Sequence, residues 1–106
     1  MNKLRRKAIR NVIRKLNEIL EGKNKISIEV FEDFIDEIQT ILDEEETYFY
    51  NIPENLQNGA RYEESENAID KLEDAISDLE YIDVDCSKEE TEKYILSAVN
   101  NLNNCV

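Results

Sequence analysis

The sequence predicts an all-α protein, an antiparallel helical bundle of about four helices built on a long central helical hairpin. Apolar residues recur at three- and four-residue spacing along most of the chain, which is the period of one helix face. The 106 residues include only two glycines and one proline, whereas sheet proteins need a turn every eight to twelve residues or so. Apolar residues make up 41% of the chain, enough for the core of a single domain over residues 1–106.

The first helix is predicted over residues 3–21, with one apolar face and one basic face. Gly22 follows the last apolar residue and can end this helix in a left-handed conformation. Positive charge at a helix start opposes the macrodipole, so the first turn is expected to fray or to need an acidic neighbour. The apolar face consists of Leu4, Ala8, Ile9, Val12, Ile13, Leu16, Ile19 and Leu20.

Residues 28–82 are predicted to form the long acidic hairpin. Its first helix follows a Ser27 cap and runs to about Tyr50 on a wide apolar stripe, which suits a bundle better than a two-stranded coiled coil. A break follows at Pro53 and at Asn58-Gly59, which is a turn signal. The next helix is expected to start near Ala60, capped by Asn58. Its apolar seam consists of Tyr62, Ile69, Leu72, Ile76 and Leu79, flanked by Ala68, Ala75 and Ile82.

A short last helix is predicted over residues 88–103, because Ser87 and Glu90 have the spacing of a capping box. The residues after it are expected to fray. Cys86 and Cys105 show no metal or disulfide pattern, and the chain has no histidine to complete a zinc site or a Cys–His nucleophile. We interpret both as buried or inert thiols of a cytoplasmic protein, since neither a signal peptide nor a membrane-spanning apolar run is evident.

Charge is split along the chain, although the net charge is -12. Residues 1–25 hold nine lysines and arginines against two glutamates, a surplus of seven positive charges. Residues 26–106 hold four lysines and arginines against 23 carboxylates, a surplus of nineteen negative charges. So acidic a chain repels phosphate, which disfavours direct nucleic-acid binding by the basic helix. That helix is expected to lie against the acidic helices of its own chain or of a second subunit.

Glycine-rich phosphate loops are missing from the sequence, and a Ser-His-Asp set is impossible without histidine. The clustered carboxylates allow one enzymatic alternative, a Mg²⁺-dependent all-α nucleotide pyrophosphohydrolase, because hard cations prefer oxygen ligands. Those carboxylates fall on the polar faces, however, and only Glu45 falls on the extrapolated apolar seam. We therefore predict no enzymatic activity, no metal and no cofactor.

Carboxylates spaced along two rods can instead imitate a phosphate backbone and occupy the basic nucleic-acid channel of another protein. The predicted partner-binding site is at the tip of the hairpin. Tyr50 and Arg61 are included as non-acidic anchors, since tyrosine and arginine are favoured at interfaces. The acidic members of the site are Asp43, Glu44, Glu45, Glu46, Glu63, Glu64 and Glu66.

The stretch between the two hairpin helices, residues 48–62, has two interpretations. It clusters tyrosines, Phe49 and aliphatic residues at one end of the hairpin. In one interpretation Ile52 and Leu56 fold back over the aromatic side chains and seal the core. In the other, the exposed tyrosines and polar side chains form a recognition patch. Both remain open, and the two are compatible.

Residues 43–80 also resemble a family of small acidic helical proteins encoded by phages and mobile elements of Firmicutes. The shared pattern is an acidic run, an aromatic residue, Asn-x-Pro-Glu-x-Leu-Gln, and a second acidic helix with Ala-Ile-x-x-Leu-Glu. The resemblance covers about a third of the chain and implies no catalytic residue. In that context small acidic proteins often inhibit host defence, as anti-CRISPR proteins do. The loop matches at Asn51, Pro53, Glu54, Leu56 and Gln57.

The favoured function is therefore that of a non-enzymatic inhibitor, which blocks a host protein with a basic nucleic-acid-binding surface by mimicking nucleic acid. The first alternative is a helical self-assembly or adaptor module. In that case the apolar faces of the first and last helices would pair between subunits, and the basic helix would lie across a neighbour's acidic hairpin. The pyrophosphohydrolase is the second alternative.

Overall fold

Four α-helices account for most of the chain in the computed structural model, which describes residues 2–22 and 27–106. A short 3₁₀ turn, Glu54–Leu56, lies between the second and third helices. The prediction of an all-α bundle on a long helical hairpin is confirmed. The helices are α1 (Lys3–Leu20), α2 (Ile28–Tyr50), α3 (Ala60–Glu80) and α4 (Lys88–Asn103).

The helices alternate in direction, so the bundle runs up, down, up and down. Between α1 and α2, Arg5 pairs with Glu45 near one end and Lys15 with Glu37 further along, which is antiparallel register. Helix α1 packs on α2 and on α4, and α3 packs on the same two helices. The bundle measures 49 × 22 × 19 Å. Short connections between consecutive helices favour this order, because they make antiparallel neighbours the default.

Each helix contributes its apolar stripe to one shared core. Helix α1 buries Ile9 and Leu16, and α4 buries Ile95 and Leu102, so the flanking helices are anchored as fully as the hairpin. Tyr62, predicted on the seam of α3, lies at its margin and is half-buried. The hairpin side of the core consists of Phe31, Phe34, Ile38, Ile41, Leu42, Ala68, Leu72, Ala75, Ile76 and Leu79.

Local sequence signals set most helix ends. Gly22 has φ 77°, as predicted for the residue that ends α1. The Ser27 hydroxyl accepts a hydrogen bond from the backbone of Val30 at the start of α2. The capping box of α4 is present in both directions: Glu90 N donates to Ser87 Oγ over 3.1 Å, and Ser87 N donates to the Glu90 side chain.

Two expectations about helix ends are wrong. Gly59, not Asn58, is the N-cap residue of α3, and it offers no side-chain acceptor. Helical backbone begins at Ala60, and Gly59 has the extended backbone of an N-cap residue, with φ -86° and ψ 168°. The chain after α4 also does not fray, since Cys105 is buried and its thiol lies 3.7 Å from the carbonyl oxygen of Ala68.

None of the described helices is long and apolar enough to cross a membrane.

Candidate functional site

One end of the bundle gathers the hairpin tip (residues 43–66), the first turn of α1 and the last turn of α4. This follows from the alternating helix directions, because the start of α1 and the end of α4 meet the loop between α2 and α3. Asn2 caps α1 there, its Oδ1 accepting from the backbone N–H of Arg5 over 2.8 Å. The acidic tip is therefore joined by the most basic turn of the chain.

Glu45 lies inside the bundle with 0% of its surface exposed. Arg5 Nε donates to Glu45 Oε2 over 3.0 Å, and Ser65 Oγ donates to Glu45 Oε1 over 3.2 Å. The Arg5 side chain is only 11% exposed, and its guanidinium carbon lies 5.6 Å from the centre of the Tyr48 ring. Such a buried charge is tolerated only when it is paired and hydrogen-bonded.

Glu45 is therefore not part of an exposed partner-binding surface, and its inclusion in that set was wrong. Its position on the apolar seam, which the sequence indicated, is confirmed. Inside the bundle, Arg5 is a counter-ion of Glu45, and this pairing was not predicted from the sequence. The sequence shows both parts of the signal, a positive first turn of α1 that needs an acidic neighbour and one acid on the buried stripe of α2, but the two were not connected.

The remaining predicted carboxylates of α2 do not face one way, because an α-helix turns about 100° per residue. Glu44 lines a groove against α1, which also contains Lys15 and Glu37. Asp43 and Glu46 lie about 120° and 180° around the helix from Glu37, on the flank directed toward α3. The run of four acids thus divides among three directions, counting the buried one.

The predicted carboxylates of α3 divide in the same way. Glu64 lines a groove with Arg6 on the side of α4. Asp78 also lies on the side of α3 that faces α4, since Asn101 of α4 donates a hydrogen bond to it over 2.8 Å. Glu66 lies about 120° around α3 from Asp78, toward α2. Glu63 is exposed between these two directions.

An acidic face consequently runs along the outer groove between α2 and α3. Helix α2 has no lysine or arginine, and the two in α3 lie elsewhere: Arg61 at its start and Lys71 on the α4 side. Seven members of this face are exposed and Glu46 is half-buried. We define the acidic face as Glu32, Asp36, Asp43, Glu46, Glu66, Asp70, Glu73 and Glu80.

The loop at the tip combines packed and exposed side chains. Phe49 and Tyr62 pack with ring centres 4.5 Å apart, and Ile52 is buried beside them. Leu56 does not cover the aromatic side chains as expected, because it is 55% exposed. Tyr50 is 75% exposed. The loop therefore seals the core through Ile52 and leaves two large side chains in contact with water.

Two cavities open at this end of the bundle and share Tyr48 and Arg61. The arginine groove, of about 500 Å³, is lined by Asn2, Arg5, Arg6, Tyr48, Arg61 and Glu64. The apolar cleft, of about 220 Å³, is lined by Tyr48, Asn51, Ile52, Pro53, Leu56 and Arg61. Among the described residues, neither Arg6 nor Arg61 forms an ion pair.

Within residues 2–22 and 27–106, no group of three or more acids or cysteines is placed to hold a metal ion. Both cysteines are free thiols. Burial raises the pKa of the Cys105 thiol from 9.0 to about 11, with a smaller opposing effect from Lys71. Cys105 therefore stays protonated near neutral pH, where it packs as a small apolar side chain.

No protein-family model, no curated protein and no solved structure matches this chain. The resemblance of residues 43–80 to phage-encoded proteins stays a prediction.

Proposed function

We propose that this chain is a non-enzymatic binding protein that inhibits a host nucleic-acid-binding protein, such as a CRISPR effector, by covering its basic surface. The acidic face is the observation that carries this proposal. Eight carboxylates lie along both helices of the hairpin, and no lysine or arginine interrupts them. The proposed contact surface differs from the predicted set, because Glu45 is buried and Glu44 and Glu64 face other helices.

The charge density of the acidic face is comparable with that of a nucleic acid. The face extends about 21 Å along each helix, at about 1.5 Å per residue. Eight charges over that length give one per about 2.6 Å, against one per about 1.7 Å of axis in duplex DNA. A basic channel that binds a phosphate backbone therefore meets a similar field here, and that field also speeds association.

Tyr50 and Arg61 extend the proposed contact beyond charge. Tyr50 is 75% exposed and belongs to the same outer flank of α2 as Asp43. Arg61 is exposed at the start of α3. Exposed tyrosine and arginine at the edge of a charged surface are favourable anchors, because they bury large areas at little cost in conformational entropy.

A triple charge reversal tests this proposal. Asp43→Lys, Glu46→Lys and Glu66→Lys change side chains of the acidic face near the tip, two exposed and one half-buried, so the helices should keep their circular dichroism signal. The matched control reverses Asp33, Asp74 and Asp85, which are exposed and outside the acidic face. Both variants change the net charge equally, so a difference between them isolates the position of the charges.

The readout is capture of partners from a host lysate, followed by a nucleic-acid-binding assay on each captured protein. We expect wild type and the control to capture a basic protein and to displace its nucleic acid, and the tip variant to do neither. Retained binding by a folded tip variant would contradict the proposal. So would captured proteins that bind no nucleic acid.

The apolar faces of α1 and α4 lie in the chain's own core, so the expected pairing of those faces between subunits is wrong. One observation favours the remaining part of the second candidate, self-assembly through charge. Helix α1 exposes Lys3, Lys7, Arg10 and Arg14, and it packs on α2 and α4 rather than over the α2–α3 groove. One copy therefore cannot cover its own acidic face with α1, whereas a neighbouring copy can. Light scattering at two salt concentrations tests this, since an assembly held by charge should dissociate at high salt.

A further inference from the structure

The end of the bundle that carries the arginine groove combines two kinds of surface. The groove presents guanidinium groups, and the adjoining apolar cleft presents Ile52, Pro53 and Leu56. Because Tyr48 and Arg61 line both cavities, a ligand can occupy the two at once. Leu56 is 55% exposed, so the cleft offers an apolar surface that no described side chain covers.

Local charge limits what the groove can accept. Arg5 is neutralised by Glu45, to which it donates over 3.0 Å. Arg6 and Arg61 have no ion-pair partner among the described residues, and Glu64 offsets one of them. The groove therefore has a surplus of about one positive charge. The chain as a whole carries a net charge of -12, which repels polyanions.

We propose that this end of the bundle binds a carboxylate that stands next to a large apolar side chain in a peptide. The carboxylate would lie in the arginine groove and accept hydrogen bonds from Arg6 and Arg61, whose planar guanidinium groups match a carboxylate in two-point contact. The apolar side chain would lie in the cleft against Ile52 and Leu56. A peptide C-terminus or an internal Asp or Glu supplies the same chemistry.

The small surplus charge of the groove and the position of Tyr48 favour a peptide over a nucleotide. The apolar cleft holds about 220 Å³, below the range of about 300–1,000 Å³ that is usual for a complete small-molecule site. It is suited to one side chain. The Tyr48 ring already lies under the Arg5 guanidinium at 5.6 Å, which occupies one face that a base would need for stacking. A single surplus charge also matches a carboxylate better than a dianionic phosphate.

This site is separate from the acidic face, so it does not rest on the inhibitor proposal. The two surfaces have opposite local charge and occupy different sides of α3. Arg61 is shared by the two proposals, but the carboxylates of the acidic face are not, so reversing their charge should leave binding in the groove unchanged. Asp43→Lys, for example, should not affect the groove.

An NMR titration with N-acetyl-L-leucine, read from ¹⁵N-labelled protein, tests the proposal. We expect saturable shifts at the amides of Tyr48, Leu56 and Arg61, with a Kd of about 1 mM, as befits one charge pair and one side chain. N-acetyl-L-leucinamide lacks the charge and acetate lacks the side chain. Each should bind at least about tenfold more weakly, which corresponds to about 1.4 kcal/mol.

Substitutions of single arginines, inside and outside the groove, test which residues form the site. Arg6→Gln and Arg61→Gln should each raise the Kd for N-acetyl-L-leucine about fivefold or more, since each removes a charge-assisted hydrogen bond. Arg10→Gln changes an exposed arginine outside the groove and should leave the Kd unchanged. The spectrum of each variant shows directly that the bundle is folded.

To distinguish the two sources of carboxylate, N-acetyl-L-leucine is compared with an acetylated, amidated Leu-Glu dipeptide; binding of either one supports the proposal. If N-acetyl-L-leucinamide binds as tightly as N-acetyl-L-leucine, the carboxylate has no role in binding. If acetate binds as tightly as N-acetyl-L-leucine, the apolar cleft has no role. Tighter binding of inorganic phosphate or AMP would assign the groove to phosphates and overturn the proposal. The absence of saturable shifts up to about 20 mM ligand would overturn it as well.

Discussion

Arg5 Nε and Glu45 Oε2 lie 3.0 Å apart in the interior of the bundle, although forty residues separate them in the chain. This pair joins the first turn of α1 to the last third of α2. The pair also sets the position of α1 along the axis of α2, because the Glu45 carboxylate is itself held by a hydrogen bond from Ser65 of α3. Three helices are thereby held in register by one buried acid.

Arg5→Ala should reduce the free energy of unfolding by about 2–4 kcal/mol, because it removes a charged partner of a buried carboxylate. Urea denaturation monitored by circular dichroism measures the change. Arg14→Ala is the matched control on the same helix. Arg14 is 60% exposed and pairs with Glu18 over 2.8 Å at i, i+4, so its loss should cost less than about 0.5 kcal/mol. Equal costs for the two variants would show that burial adds nothing to the Arg5 pair.

Ser65→Ala should cost about 1–2 kcal/mol, because Glu45 loses a hydrogen bond that water cannot replace in the core. The same measurement applies. Ser77→Ala, on the exposed side of α3, serves as the control and should be neutral or slightly stabilising, since alanine has the higher helix propensity. A neutral Ser65→Ala would mean that the hydroxyl is dispensable to the buried pair.

Ser87→Ala should destabilise the protein by about 1 kcal/mol through loss of the α4 capping box. The hydroxyl accepts from Glu90 N over 3.1 Å, and without it that N–H at the start of the helix loses its acceptor. Ser97→Ala removes an exposed hydroxyl from the middle of α4 and should not destabilise. If thermal unfolding shifts equally for both, the capping box makes no measurable contribution.

Cys86 should react with a thiol reagent at pH 8 at least about tenfold faster than Cys105. Cys105 is buried, and its pKa is raised from 9.0 to about 11 by burial, so very little thiolate forms at that pH. Cys86 is partly exposed. Mass spectrometry after timed labelling of Cys86→Ser and Cys105→Ser variants separates the two rates. Comparable rates would mean that the chain end opens readily around Cys105.

Most of the fold could be predicted because its signals are local. Apolar spacing placed the four helices, Gly22 ended α1, and Ser87 with Glu90 began α4. Each of these depends on residues within one or two turns of each other. Asn58 failed as a cap for a related reason. The cap position depends on where helical backbone begins, which is at Ala60, and the side-chain preference of Asn58 does not decide that.

The candidate site was less predictable because it depends on how distant helices align. The sequence placed Glu45 on an apolar stripe, but nothing local indicates that Arg5 is its partner. That pairing needs the register of α1 on α2. Likewise, the four acids at 43–46 look like one surface in the sequence, and only knowledge of each neighbouring helix assigns their three directions. The ordered chain end around Cys105 was not predicted, because the asparagines there suggested fraying.

The order of the helices has a consequence for folding kinetics. Among the described helices, three of the four packed pairs join consecutive helices, and only the α1–α4 pair joins distant parts of the chain. Proteins dominated by such local contacts fold in about microseconds to milliseconds. Docking α1 against α4 closes the longest loop in the chain, so this step has the largest loss of loop entropy. We expect that step to limit the rate. The hairpin is then already formed in the transition state, so we expect substitutions within it to act mainly on how quickly the protein folds.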